Sequence, residues 1–501
     1  MTARESYDQF VIHLRHHADL AAALRLMEWD QETFMPAGIL ESRARQIGAL
    51  AALVHERQTD PRFLALVDDL AARAAELDPE QQVDVRETAW RLGRERRLDT
   101  ALVRARSELH AQARGVWIEA RRVDDFAVLA PFLQRIVDME RRVAGTIDPS
   151  RPAYDVLLEE YEPGMSAAAI APLFEGLRAG LRPLVDRLRA RLERAPLSSG
   201  ALCGDFALDA QRHFNRIVAE QLGFDFTRGR LDEAVHPFST TIGEDVRLTT
   251  RYDPHDLRYG LYATIHETGH GLYEQGLDRH AWGTPRGHAC SFGIHESQSR
   301  LWENQVGRSA GCWRHLLPLA RQFFPQLANT SLDAVLLAVN DARPSLIRTE
   351  ADEVTYNLHI ILRFELEQGL VDGRVAVGDL PGVWRERMQQ DLGLVPQTDR
   401  DGVLQDVHWA SGAIGYFPTY TLGNIYAAQL MSAAEAALGD LDEQLASGDF
   451  GALLHWLREH IHRRGQRERA PELIRRATGS LPTTGPLLTH LDRKLAELER
   501  A

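Results

Sequence analysis

Cysteine is scarce in this chain: 501 residues include three, Cys203, Cys290 and Cys312. None belongs to a Cys-x-x-Cys pair, which excludes a disulfide framework and fits a reducing compartment. No segment approaches the ~20 consecutive apolar residues of a membrane span, and Met1 to Asp8 lacks the apolar stretch of a signal peptide. The expectation is a cytoplasmic protein without a membrane partner. Positive charge is also lacking, the formal net charge being -14. With no basic face to neutralise phosphates, a nucleic-acid partner is excluded. The one short basic run, Arg463-Arg464-Gly465-Gln466-Arg467, reads as a solvated helix end. Fixed-period repeats are absent too, so a solenoid is not expected.

What is present is ordinary globular composition in a chain long enough for a large core. Apolar residues recur at helical spacing, as in Leu64, Leu66, Val67, Leu70 and Ala71, and in Leu173, Leu177, Leu181, Leu184 and Leu188. Turn signals such as Asp60-Pro61 and Glu162-Pro163-Gly164 separate the helices. Between Ser239 and Tyr252 the pattern changes: Val246, Leu248 and Thr250 alternate with Arg247, Thr249 and Arg251, which is a strand. The prediction is a mainly α protein with a small sheet beside its site, one unit over 1–501. An approximate subdivision puts an N-terminal helical region at 1–200 and a catalytic region at 201–501.

The chemistry concentrates in His266-Glu267-Thr268-Gly269-His270. Asp253 is expected to cap the helix that carries it, with Pro254 at the first position, Asp256 complementing the dipole and Gly276 ending it. Histidines four residues apart share a helix face and converge on one ion, while Glu267 reaches a metal-held water as general base. Apolar flanks, including Leu261, Tyr262, Ile265 and Leu272, argue against two surface histidines.

A catalytic zinc takes three protein ligands. The metzincin extension requires Gly at 273 and His at 276, where this chain has Tyr273 and Gly276, so the third ligand comes from elsewhere. Glu274, His280, His288, His295, Glu296 and Glu303 are available. Glu274 sits where it would point beyond the ion, and His280 and His288 lie in a Gly/Pro-rich loop. Glu296, near the start of a second amphipathic helix over 293–304, is the choice, with His295 as an orienting partner. A capping role is the alternative for Glu296.

Six short segments in order then resemble the thermostable (Taq-type) metallocarboxypeptidase family: His236-Pro237-Phe238, Asp245 to Thr249, His266 to His270, His295 to Gln298, Ile347 to Asp352, and Gly402 to Trp409. The stretches Trp29 to Pro36, Tyr154-Asp155 and Tyr161 to Met165 are also similar to it, so the resemblance covers essentially the whole chain. It implies a saddle-shaped, zincin-like helical fold with a deep central groove, usually homodimeric. One divalent ion per subunit, Zn2+ before Co2+, would be held by His266, His270 and Glu296.

The same resemblance implies carboxypeptidase activity on peptides with a free C-terminal carboxylate. Arg348 is then expected to clamp that carboxylate, with an i, i+4 ion pair to Asp352 on a helix from Ser345 to about Gln368 as the compatible structural alternative. His408 and one of Tyr416 and Tyr420, the latter preferred, are expected to supply the oxyanion donor. Asp245 and Arg247 are expected on a strand bordering the cleft, limiting substrate length, with His236 lining the same groove. The competing readings are a dipeptidyl carboxypeptidase or oligoendopeptidase, and a peptide-binding helical scaffold.

Overall fold

The structure, a computed structural model, describes residues 1–194 and 200–500. Its first helix, Ala3–Thr33, starts at a capping box in which Thr2 and Glu5 satisfy each other's backbone N–H groups. Asp60 caps and Pro61 opens the helix Pro61–Ala72, as the turn signal requires. The leucine stripe of 173–188 lies on the helix Ala167–Arg194, where Leu177, Leu181, Leu184 and Leu188 are buried.

Two hydrophobic cores result. A small one runs from Ala3 to Leu92 and is built around Phe10, Phe63, Val67 and Leu70. A large one runs from Leu102 to Leu498. Packing therefore changes hands between Leu92 and Leu102. Ion pairs join the two bodies: Arg467 donates to Glu80 at 2.8 and 2.7 Å, and Arg286 to Asp84 at 2.9 Å. Asp84 also accepts from Tyr7 at 2.6 Å. The basic run at 463–467 is thus not a solvated helix end, because its last arginine is spent on this junction, with its side chain 12% exposed.

The sheet has three strands in the order β1, β3, β2. β1 (Gly229–Glu233) runs parallel to β3 (Asp245–Thr250), and β2 (Ser239–Ile242) runs antiparallel to it, with Ser239 opposite Leu248. Gly243, at φ +69°, makes the tight turn from β2 to β3 that a side chain would strain. Val246, Leu248 and Thr250 are buried as the alternation requires, but Thr249, whose hydroxyl donates to Phe238 O, is buried as well. β3 is the central strand, however, so the free edge beside the site belongs to β2. Among the described residues no helix is long and apolar enough to cross a membrane.

Candidate metal centre and catalytic cleft

The helix carrying the motif spans Leu257–Gly276. Its cap is Asp256, which accepts from Arg258 N, whereas Asp253 accepts from His255 N in the preceding turn. The helix therefore begins later than the Asp253-Pro254 pair suggests: that pair is used in the turn leading to it. The second helix, Phe292–Arg300, is capped by Ser291, which leaves Glu296 free of a capping role. It continues as a π-helical stretch, Leu301–Val306, where Gly307 N bonds Trp302 O five residues back.

Two glycines let these elements meet. A Cβ on Gly269 would lie 2.6 Å from Ser299 Cα and 2.7 Å from Gln298 O, so the motif helix rests directly on the backbone of the second. A Cβ on Gly423, in the helix Pro418–Leu438, would lie 2.6 Å from Glu296 Cγ. The helix that bears Glu296 is thereby packed against both of its neighbours.

His266 Nε2 lies 3.7 Å and His270 Nε2 3.5 Å from Glu296 Oε2, and one ligand atom from each of the three residues lies within 4.8 Å of the others. Tetrahedral coordination with bonds of ~2.0–2.1 Å places ligand atoms about 3.3 Å apart, so the donor set fits one small divalent ion. The outer nitrogens support this fit. His266 Nδ1 is 2.8 Å from Glu303 Oε2, and donation there leaves its Nε2 lone pair for an ion. His270 Nδ1 is 2.6 Å from His295 Nδ1, and His295 Nε2 is 2.9 Å from Glu274 Oε1. With Glu274 accepting from His295 and His295 accepting from His270, the second Nε2 lone pair is also free. Glu274 indeed points away from the three ligand atoms, to His295 and to the Thr241 hydroxyl.

Charge follows the geometry. Glu296 is buried, yet Arg300, donating at 2.7 Å, and the two histidines hold its carboxyl well below the usual range. Burial opposes a charged His266, but Glu296 and Glu303 outweigh it and lift the imidazole to about 9. Burial, with His295 and His266, takes His270 down to about 4. Glu267 is 6% exposed, and burial, reinforced by Glu296, raises it to about 7 against the opposing pull of His266 and the Ser239 hydroxyl.

These groups open into a cavity of about 650 Å3 whose walls include Phe238 and Ser239, Tyr416 and Tyr420, and Trp90 and Arg91. His408 joins the tyrosines, its Nε2 lying 3.2 Å from Tyr420 Oη. Burial, together with Arg348 and Arg363, lowers His408 to about 4 despite Asp406, so the ring is neutral. Burial raises Tyr416 to about 12, keeping its O–H as a donor.

The remaining sequence-derived residues lie apart from the three ligands. Arg348 is 6% exposed and packs 4.9 Å from the Tyr420 ring centroid. It belongs to a short 3-10 turn, Arg348–Glu350, and the helix starts only at Tyr356, so the predicted ion pair to Asp352 does not form. Asp352 instead accepts from Val354 N, Thr355 N and the Thr355 hydroxyl. Arg348 is paired with Asp406. Arg247 donates to Asp245 at 2.8 and 2.7 Å and stacks 4.0 Å over Trp29 of the first helix. His236 is exposed, in the turn leading to Pro237 and Phe238. Glu303, Ser239 and Asp406 are the site partners whose roles the sequence pattern did not reveal. Asp406 sits inside the signature that singled out His408, and an acidic residue there was the available signal for an arginine partner.

The protein-family signature described as carboxypeptidase Taq (M32) metallopeptidase matches residues 9–495. Thermostable carboxypeptidase 1 of Thermus thermophilus is 44% identical over 99% of this chain and 100% of its own length. Carboxypeptidase 1 of Bacillus subtilis is 36% identical over 98% of both chains. The crystal structure of an M32 carboxypeptidase from Deinococcus radiodurans R1 superposes with a TM-score of 0.96 at 42% identity, covering 99% of this chain and 100% of that one. A motif helix, a supporting second helix and a small sheet beside a cleft are thus the form this family takes here, and the chain belongs to the carboxypeptidase Taq (M32) family of metal-dependent carboxypeptidases.

Proposed function

We propose that His266, His270 and Glu296 hold one divalent ion per subunit, zinc before cobalt, and that Glu267 is the general base of C-terminal peptide hydrolysis. The observation that carries this reading is the pair of outer-nitrogen contacts, His266 to Glu303 and His270 to His295, which turn both Nε2 atoms toward Glu296. When bound, the ion supplies Lewis-acid polarisation of the scissile carbonyl and a more acidic water. Glu267 receives the water proton and returns it to the leaving amine.

Arg348, His408 and Tyr420 are assigned to the terminal carboxylate and the oxyanion. Arg348 uses Nε and Nη2 on Asp406 and Nη1 on Tyr356, which leaves two of the five guanidinium N–H groups for a substrate carboxylate. With its proton on Nε2, His408 donates to Tyr420 Oη and frees the phenol O–H to meet developing negative charge; Tyr416 stands beside it as a second donor. Asp245 and Arg247, by seating Trp29 against the sheet, are assigned to closing one end of the groove, with His236 at its rim. Family resemblance supports a homodimer, and cysteine usage a cytoplasmic setting. The chain is treated as a single catalytic unit built on its two cores.

The test is a time course on mixed peptides with and without chelator. Stepwise C-terminal shortening that stops on chelation, and that Glu267→Gln abolishes while still binding the ion, is expected. Cleavage of peptides with an amidated C-terminus at comparable rates would instead indicate an endopeptidase.

A further inference from the structure

Helix Pro79–Glu95 carries three arginines, Arg86, Arg91 and Arg94. Arg86 pairs with Glu87, and Arg94 with Glu159 and Val156 O. Arg91 alone of them has neither an ion pair nor a hydrogen bond among the described residues, and its Nε is buried without a partner. Together with Trp90 it lines the cavity that holds His266, Glu267, His270 and Glu296. Trp90 itself packs against the Arg94 and Arg469 guanidiniums, at 5.5 and 4.9 Å from its ring centroid.

No acidic group closes an ion pair with Arg91 among the described residues. Glu95, one turn on, feels it, since Arg91 is the largest influence lowering that buried carboxyl, but the carboxylate accepts its hydrogen bond from Gln58. Glu160 lines the same cavity but lies 3.8 Å from Arg106. His17 of the first helix and His288 of the loop after the motif helix face the same cation: beyond burial, Arg91 is the largest influence lowering their imidazoles. An arginine desolvated at one nitrogen and unpaired at the others attracts a carboxylate, which it binds bidentately.

We propose that Arg91 forms an acidic-side-chain subsite of the cleft, taking the carboxylate of an Asp or Glu that lies upstream of the scissile bond. The inference rests on the carboxypeptidase reading, in which Arg348 meets the terminal carboxylate and Arg91, from a different element, meets another part of the same peptide. Glu160, sharing the cavity, weakens this preference without reversing it, because its side chain is 51% exposed and its repulsion is screened by solvent.

The experiment compares peptides with a free C-terminus and a constant terminal residue that carry Glu, Gln or Lys at each of the two preceding positions. The metal-loaded enzyme is expected to favour Glu over Gln at one of them by roughly tenfold in kcat/KM, through KM, with the ratio falling as salt rises. Arg91→Met should bring that ratio to about one, Arg91→Lys should keep part of it, and Glu160→Gln should enlarge it. A wild-type ratio of one overturns the proposal, as does a ratio retained in Arg91→Met, or equal losses on all peptides. Failure of the carboxypeptidase reading would look different, since no peptide would be shortened, and would take this proposal with it.

Discussion

Asp406 binds Arg348 through Oδ1, at 3.0 Å from Nε and 2.8 Å from Nη2, and Arg363 through Oδ2, at 2.7 Å from Nε. Arg363 is fully buried and Arg348 nearly so. Despite burial, the two guanidiniums hold the Asp406 carboxyl well below the ordinary range. Replacing it by Ala leaves two buried cations unpaired, an expected cost of about 3–5 kcal/mol in denaturant unfolding. If Arg348 also clamps substrate, the milder Asp406→Asn should raise KM for free-carboxylate peptides several-fold. Lost stability with unchanged KM would confine Arg348 to a structural role.

Glu303 should matter to the metal although it is not among the three proposed ligands. It accepts from His266 at 2.8 Å and is steadied by Arg308 at 3.3 Å and Arg300 at 3.4 Å. Glu303→Gln is expected to weaken divalent-ion affinity about 10–100-fold, measured by competition with a chromophoric chelator. An affinity equal to wild type would mean that packing alone orients His266.

Metal binding should release protons. His266 is held up to about 9 in the metal-free site, so at pH 7.5 it carries a proton that coordination must displace. Calorimetric titration in two buffers of different ionisation heat should report close to one proton released, and more binding heat in the buffer that protonates more exothermically. Identical heats would contradict this charge state.

Gly269→Ala tests the contact between the two metal-bearing helices. The new Cβ meets backbone at 2.6 and 2.7 Å, and backbone cannot rotate away. An overpacking cost of about 1–3 kcal/mol is expected, visible as a lowered Tm, with weaker metal binding because Glu296 moves away from the histidines. A variant with unchanged Tm and unchanged metal affinity would refute the close approach.

Glu162 predicts a pH dependence of stability. It is fully buried, accepts from Gly293 N, and has an Oε2 without a partner among the described residues; burial raises its carboxyl to about 8. The unfolded chain loses this proton near 4.5 while the folded protein keeps it to about 8. Between those values the folded state binds more protons, so stability falls as pH rises, by up to about 1.4 kcal/mol per unit. Glu162→Gln should flatten that slope in urea melts between pH 5 and 8. A slope as steep as that of the wild type would assign it to another group.

Legibility in the sequence tracked how local each feature is. His266, Glu267 and His270 lie within one helical turn and a quarter, and a period of 3.6 residues alone puts the two histidines on one face. Glu296 lies on the next helix and could be argued from the helix's rigidity. Alternation identified β3, and capping residues marked many of the helix starts. The error at Asp253, three residues from the true cap Asp256, shows that two acidic residues close together compete for one role until the turn between them is known.

Long-range partners were beyond that reach. Pairing of Arg348 with Asp406, 58 residues away, instead of Asp352, four residues away, was settled by where the helix after Val354 begins and by the burial of Arg363 beside the same carboxylate. The position of β3 in the middle of its sheet was likewise decided by β1, a strand with little alternation of its own. The metal-binding motif and its family resemblance were therefore written in the order of the residues. Which carboxylate orients each histidine, and which arginine is left unpaired in the cleft, depended on contacts between segments far apart in the chain, made only when the helices pack.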